Sequence, residues 1–315
     1  MFKKKSWKEP AMTKGLIFDI QRFSLNDGPG IRTTVFFKGC GLRCAWCHNP
    51  ESIASYQQLS YDSTRCDGCQ KCMVAVGGKG ISILNQKAVV DMDIHDRTLE
   101  LVGVCPQNCF RVLGDEKTVD EIVNVVLKDL DYYRESHGGV TFSGGEALNQ
   151  WPFIESVAKK LKEHGLHLTL DISGYDPAGL LSLTTDLIDL YLLDLKASDH
   201  KIYKTFVGQS LDPKQMLEIL KKANKPVILR CPLIPDINDD PGYFDLLAKL
   251  VDEYDNIIET NVLPYHKLRK NQSFKLLNDR QFFSEPDSIR KEIWAREIRD
   301  RKIRNVWMEN SEILL

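Results

Sequence analysis

Nine cysteines are distributed very unevenly along this chain of 315 residues: eight lie between Cys40 and Cys109, and Cys231 stands alone. What grouped thiols do depends on the redox compartment, so that is read first. The start, Met1 to Lys14, is basic but carries no apolar stretch and no cleavage-like pattern of small residues. It reads as a leader expected to be disordered, not as a secretory signal. The most apolar run, Leu187 to Leu195, is interrupted by Asp189 and Asp194 and is too short to cross a bilayer, so no membrane association is expected. The expected location is the cytoplasm, where closely spaced cysteines serve metal or redox chemistry instead of disulfides. With 42 basic against 44 acidic side chains the net charge is -2, and no chain-wide basic field exists to draw in nucleic acid.

Beyond the cysteines the texture changes. Thr118-Val-Asp-Glu121 is a capping box, which predicts a helix from there to about Ser136. Strand-like runs follow the apolar patterning at Thr33–Lys38, Val140–Ser143, Leu166–Asp171, Leu187–Asp194, Val227–Arg230 and Ile257–Leu263. Helical periodicity separates the later ones at Pro152–His164, Pro213–Ala223 and Tyr243–Glu253. Such alternation implies α/β architecture with parallel strands and right-handed crossovers, either an open sheet or a β/α barrel. Residues 56–115 break the alternation and read as a small inserted domain, leaving 15–55 and 116–315 as the main one. Asp287–Arg304 places Ile289, Ile293, Trp294 and Ile298 at helical spacing, an amphipathic helix expected to pack on the barrel or to serve as a docking surface.

The first cysteine group is Cys40-Gly-Leu-Arg-Cys44-Ala-Trp46-Cys47-His48-Asn49-Pro50, directly after the first strand. Three thiolates this close in sequence can converge on one metal centre, yet a cubane cluster has four irons. One iron is then left open to bind and act on a small molecule. The competing reading is a structural zinc site completed by a remote ligand such as His48.

The Cys-x3-Cys-x2-Cys spacing, with an aromatic before the last cysteine, resembles the radical S-adenosylmethionine (SAM) superfamily. Asn26-Asp27-Gly28-Pro29-Gly30-Ile31-Arg32 and Cys47-His48-Asn49-Pro50 further resemble the glycyl radical enzyme activating enzymes, typified by the activator of pyruvate formate-lyase. The resemblance runs from about Gly15 to Lys270. It implies a partial (β/α)6 radical SAM barrel, with the small insert ferredoxin-like. In a β/α barrel the active-site groups collect at the C-terminal ends of the strands, and each predicted strand ends in a polar group. Ser143-Gly144-Gly145-Glu146 combines close backbone approach with a carboxylate that can hold an ammonium group. By resemblance this stretch binds the SAM amino group, Trp46 and His48 flank the cofactor, and Asp194-Leu195-Lys196, Arg230 and His266 contact SAM. The same resemblance puts a monovalent cation near SAM between Asp171 and Asp194. The alternative for those two is an ordinary salt bridge, for example Asp194 with Lys196 or Arg230. Cys231 reads as an inert buried thiol.

The insert allows an inference from spacing. A two-cluster ferredoxin carries two runs of Cys-x2-Cys-x2-Cys-x3-Cys-Pro, and the fourth cysteine of each ligates the other cluster. Here Cys66, Cys69 and Cys72 begin one run and Cys105-Pro106 ends the other. The remaining places are taken by Val76, His95, Thr98 and Leu101. The surviving four are the ligand set of one cluster, so one auxiliary [4Fe–4S] centre is predicted on Cys66, Cys69, Cys72 and Cys105. Cys109 is left as an alternative ligand or a buried thiol, and a cluster-free insert is the competing reading.

The activity implied by the resemblance is reductive cleavage of SAM to methionine and a 5'-deoxyadenosyl radical. That radical takes a hydrogen from a Gly Cα of a partner glycyl radical enzyme. Flavodoxin or ferredoxin is the implied reductant, and the free chain is expected to be a monomer. Asp27 is a candidate contact for the incoming loop, or a turn-forming Asp before Gly. Two other readings stay open: a radical SAM enzyme with another target, and a non-catalytic iron–sulfur electron carrier. The latter leaves Gly144 to Glu146, Lys196, Arg230 and His266 without a role.

Overall fold

The computed structural model describes residues 14–91, 100–267, 274–275, 283–309 and 311–313. Most of the predicted leader, together with His95 and Thr98, lies outside the described residues, while Lys14 already belongs to the first strand. In chain order the strands are β1 (Lys14–Ser24), β2 (Arg32–Phe37), β3 (Gln58–Asp62), β4 (Ile81–Leu84), β5 (Lys87–Val90) and β6 (Phe110–Leu113). Then come β7 (Asp115–Thr118), β8 (Gly139–Gly144), β9 (His167–Ile172), β10 (Leu190–Asp194), β11 (Val227–Leu233), β12 (Ile257–Pro264), β13 (Phe274–Lys275), β14 (Val306–Met308) and β15 (Ser311–Ile313).

One large sheet runs in the order β15-β14-β12-β11-β10-β9-β8-β2-β1-β7. From β2 through β8, β9, β10, β11 and β12 to β14 every pairing is parallel. These include all six predicted strands, and β14 adds one more beyond them. Antiparallel pairs finish both ends, β1 with β2 and β7, and β14 with β15. Since β7 and β15 do not pair among the described residues, the barrel stays open on one side.

Strand alternation explains how one sheet makes both a core and a site. Val35, Phe37, Val140, Phe142, Leu168, Leu170, Tyr191, Leu193, Leu229 and Cys231 point outward into one apolar core, beneath helices Trp151–Glu163, Pro213–Lys222 and Pro241–Glu253. The alternate positions point inward; Arg32, Thr141, Thr169, Asp171 and Arg230 are polar there, while Leu190, Leu192 and Ile228 form a small apolar cluster of their own. Cys231 is fully buried in the outer core, as an inert thiol would be.

Three expectations need correction. The helix from Thr118 has its capping box, worth about 1 kcal/mol, but it breaks at Leu127–Asp129 and resumes at Leu130–Ser136. The break turns Asp129 inward, where it accepts from Arg22 (Nε 2.6 Å) and from Thr33. The strand expected from Leu187 begins only at Leu190, because Leu187 and Ile188 close the preceding helical turn on the Thr184 carbonyl. In the C-terminal helix Ser288–Asp300, Trp294 and Ile298 are buried, but Ile289 and Ile293 face solvent (71% and 39% exposed).

Residues 58–113 carry their own framework. β3 pairs with β6 and β13, β4 with β5, and a separate apolar cluster includes Leu59, Tyr61, Ile81, Leu101 and Phe110.

Candidate active site

The loop after β2 is held by backbone bonds on two sides. Gly39 N donates to the Ser52 carbonyl (2.7 Å) and Cys40 N to that of Ile53 (2.9 Å). Arg43 N and Ala45 N donate to the carbonyls of Val207 and Phe206. The loop is thereby clamped between its own return and the helical turn at 203–207. Cys40, Cys44 and Cys47 all line one cavity of ≈ 950 Å³ at the C-terminal ends of the parallel strands. Leu42 N donates to the Cys40 sulfur at 3.4 Å. Burial pushes the Cys40 and Cys44 thiols up to about 11, Lys196 opposing, so both stay protonated until a metal takes the proton's place.

Three thiols on one fixed loop, facing a cavity with room beside them, fit an iron–sulfur cluster.

The strand ends supply the rest of the lining: Ser143, Gly144 and Gly145 from β8, Asp171 from β9, Asp194 and Lys196 from β10, Arg230 from β11, and His266 beyond β12. The Asp171 carboxylate accepts from Ser143 Oγ (2.7 Å) and Arg230 Nη1 (3.1 Å). Burial lifts its pKa to about 6, with Arg230 opposing the rise. Asp194 pairs with Lys196 at 2.5 Å. Both carboxylates are thus matched by protein cations, the salt-bridge alternative to a bound monovalent cation. Trp46 and His48 line the cavity too. Trp46 packs on Phe206 and Phe283, and the His48 ring lies 4.4 Å from that of His266.

Two expected contacts lie elsewhere. Glu146 is buried behind the cavity wall, where it accepts from the Ser173 amide (3.0 Å) and hydroxyl and from Leu148 N. Its burial pushes the carboxyl up to about 7, the Ser173 bonds opposing. Leu195 is fully buried in the outer core, its carbonyl accepting from Tyr243. Asp27 also turns inward, accepting from Ser24 (2.6 Å) and Thr34 (2.8 Å), 3.8 Å from Arg230. Its neighbours Leu25, Asn26, Gly28 and Pro29 line the cavity instead.

Gly144 and Gly145 have a structural reason beside any ligand. A Cβ on Gly145 would lie 2.6 Å from the Gly39 carbonyl oxygen and 2.7 Å from that of Ser52, while Gly144 has φ +116°. Only glycines let β8 touch the cysteine loop. Sequence reading missed Asn238, whose buried amide donates to the carbonyls of Lys196 and Pro232 (2.7 Å each) and accepts from Ile234 N. It also missed Glu259 and Asn261, which line the open side with Trp307. No spacing signal marks a lone Asn in a loop, and Glu259 and Asn261 emerge only from the register of β12 against β11.

In the insert, Cys66, Cys69, Cys72, Cys105 and Cys109 surround a second, small cavity together with Tyr61 and Phe110. The donor set suits a four-thiolate cluster, with Cys109 as a fifth neighbour. Cys109 N donates to the Cys105 sulfur at 3.5 Å, and burial pushes its thiol up to about 12. Two of the lost ferredoxin positions, Val76 and Leu101, are buried in the insert's apolar core. Side-chain packing stands there in place of a second cluster.

Residues 34–247 match the radical SAM superfamily. The chain is 35% identical over 265 residues to the trans-4-hydroxy-L-proline dehydratase activating enzyme of Clostridioides difficile, covering 83% of this chain and 87% of that one. It is 36% identical over 277 residues to the indoleacetate decarboxylase activating enzyme of Tractidigestivibacter scatoligenes, covering 82% and 86%. It is 33% identical over 286 residues to the 4-hydroxyphenylacetate decarboxylase activating enzyme of Clostridioides difficile (strain 630), covering 87% and 89%.

Proposed function

The chain belongs to the radical SAM superfamily, among the activating enzymes of glycyl radical enzymes, and we propose that Cys40, Cys44 and Cys47 hold its SAM-binding [4Fe–4S] cluster. With SAM bound, that centre supplies reductive cleavage of the sulfonium to methionine and a 5'-deoxyadenosyl radical, which generates the glycyl radical on the partner. The observation that carries the residue assignment is the convergence of the three thiols with Ser143, Gly144, Gly145, Asp171, Asp194, Lys196, Arg230 and His266 on one cavity.

The protein's own part is positioning. Arg230 presents a guanidinium able to grip a carboxylate, and Asp171 and Asp27 both hold its Nη1. Ser143 and the backbone at Gly144 and Gly145 form the wall against which the SAM amino group sits. Glu146 fixes that wall through Ser173 and the Leu148 amide. Trp46, His48 and His266 close the side nearest the cysteine loop. A monovalent cation at Asp171 and Asp194 shares those carboxylates with Arg230 and Lys196, whose bonds engage one oxygen of each.

The target glycine enters on the open side of the barrel, past Leu25, Asn26 and Pro29 on one edge and Glu259, Asn261 and Trp307 on the other. Its owner is a glycyl radical decarboxylase, dehydratase or lyase; the relatives named above serve a dehydratase and two decarboxylases. Residues 56–115 form a ferredoxin-like unit with one auxiliary [4Fe–4S] cluster on Cys66, Cys69, Cys72 and Cys105. The enzyme works as a monomer in the cytoplasm, reduced by flavodoxin or ferredoxin. No helix among the described residues is long and apolar enough to cross a membrane.

The test is direct. The reduced enzyme is mixed anaerobically with SAM and a glycyl radical enzyme of each class, and EPR is recorded on the partner. A glycyl radical in one class, absent with Cys44→Ala, supports the reading. SAM cleavage without a radical on any of them redirects it to another target.

A further inference from the structure

The Tyr61 hydroxyl is buried in the insert. Tyr61 sits on β3 opposite Phe110 of β6, their rings 5.1 Å apart, and its side chain lines the cavity that the insert cysteines surround. The residue is more than nine-tenths buried (8% exposed), and its hydroxyl has no hydrogen-bond partner among the described residues. The Cys66 side chain lines the same small cavity. A buried hydroxyl without a partner is costly, and the acceptors nearest to hand in this cavity are the cysteine sulfurs that line it.

Cys66 is the corner where donors collect. Its sulfur receives the backbone N–H of Gly68 and of Ala88, each at 3.4 Å, whereas the Cys105 sulfur receives that of Cys109 at 3.5 Å. The Lys87 ammonium is anchored beside it on the carbonyls of Ser63 (2.7 Å) and Cys66 (3.3 Å). Hydrogen bonds and positive charge at a cluster sulfur stabilise the reduced, more negative state and raise the reduction potential.

We propose that Tyr61 is a positioning residue for the auxiliary cluster, its hydroxyl donating to the Cys66 thiolate and, with the Gly68 and Ala88 amides, poising that cluster to accept an electron. The inference rests on the auxiliary-cluster reading above, and it gives that cluster a part in electron transfer beyond holding the insert together.

Tyr61→Phe removes only the hydroxyl, leaving the ring packed on Phe110. The full-length enzyme, wild type and variant, is reconstituted, its iron counted, and its clusters titrated potentiometrically by EPR with SAM present. SAM perturbs the Cys40/Cys44/Cys47 centre and marks it apart from the auxiliary one. The expected result is about eight irons in both proteins. The SAM-insensitive centre of the variant is about tenfold harder to reduce, a fall of about 59 mV for one electron. The SAM-sensitive centre does not move. An unmoved potential at full iron content overturns the proposal, and so does loss of the auxiliary iron in the variant, which makes Tyr61 a purely structural residue. Only about four irons in the wild type removes the auxiliary cluster itself, and the inference falls with it.

Discussion

Arg230 Nη1 lies 3.1 Å from Asp171 Oδ2, a contact that reaches from β11 to β9 across the intervening β10 inside the barrel. It joins a cation able to hold a substrate carboxylate to an anion that fixes where the cation points. Removing Arg230 leaves the Asp171 carboxylate with Ser143 but no cation bonded to it. Arg230→Gln is expected to lower the rate of SAM cleavage at least tenfold and stability by about 2 kcal/mol, with Asp171→Asn recovering part of the stability in the double variant. Chemical denaturation and 5'-deoxyadenosine assays measure the two effects separately. Full activity in Arg230→Gln would remove the residue from the site.

The break at Asp129 gives a pH dependence. The Arg22 guanidinium bonded to Asp129 holds this buried carboxyl below its ordinary value, with help from Thr33. A depressed folded pKa contributes stability that is fully present above the unfolded value near 4 and is lost as pH falls through the folded one. Thermal melts between pH 6 and about pH 3 are expected to show a decline that Asp129→Asn flattens, the variant being less stable at neutral pH. Parallel curves for the two proteins would count against the assignment.

Gly145→Ala tests the contact between β8 and the cysteine loop. The added methyl meets two carbonyl oxygens at 2.6 and 2.7 Å, so the loop must move. Iron is expected to be lost from the Cys40/Cys44/Cys47 centre while the auxiliary centre stays filled and the circular dichroism spectrum is unchanged. A variant that keeps both centres would show that the loop yields without cost.

Asn238→Ala leaves two carbonyls and one amide of the strand-end loops without their buried partner. The expected loss is about 2–3 kcal/mol in denaturant unfolding, and Asn238→Asp restores at most the bond from Ile234 N. An unaffected midpoint would mean that the loops are held by other contacts.

What could be read from the sequence followed from periodicity and spacing. The barrel strands announced themselves as short apolar runs, some with outward positions such as Val140, Phe142, Leu168 and Leu170 alternating with polar ones, and the cysteine groups because ligand spacing is tight. β1 was missed: its register shifts between Ile17 and Asp19 and again between Gln21 and Ser24, which interrupts the alternation. β14 was missed because three residues carry no period. Side-chain direction was the other gap. Glu146 sits in the expected motif yet turns toward Ser173, and Leu195 lies between two cavity residues yet faces the core, since neighbouring positions on extended chain point to opposite sides. The insert was legible at Val76 and Leu101, where apolar residues at lost ligand positions became core.

On the proposed assignment, Cys40, Cys44 and Cys47 hold the centre at which SAM is cleaved. The most direct measurement is anaerobic reconstitution followed by an iron count, dithionite reduction, EPR with and without SAM, and detection of 5'-deoxyadenosine. About eight irons, a signal altered by SAM, and product formation abolished by Cys44→Ala are predicted. Product formation that survives Cys44→Ala, or a chain that neither binds nor cleaves SAM, would contradict the account.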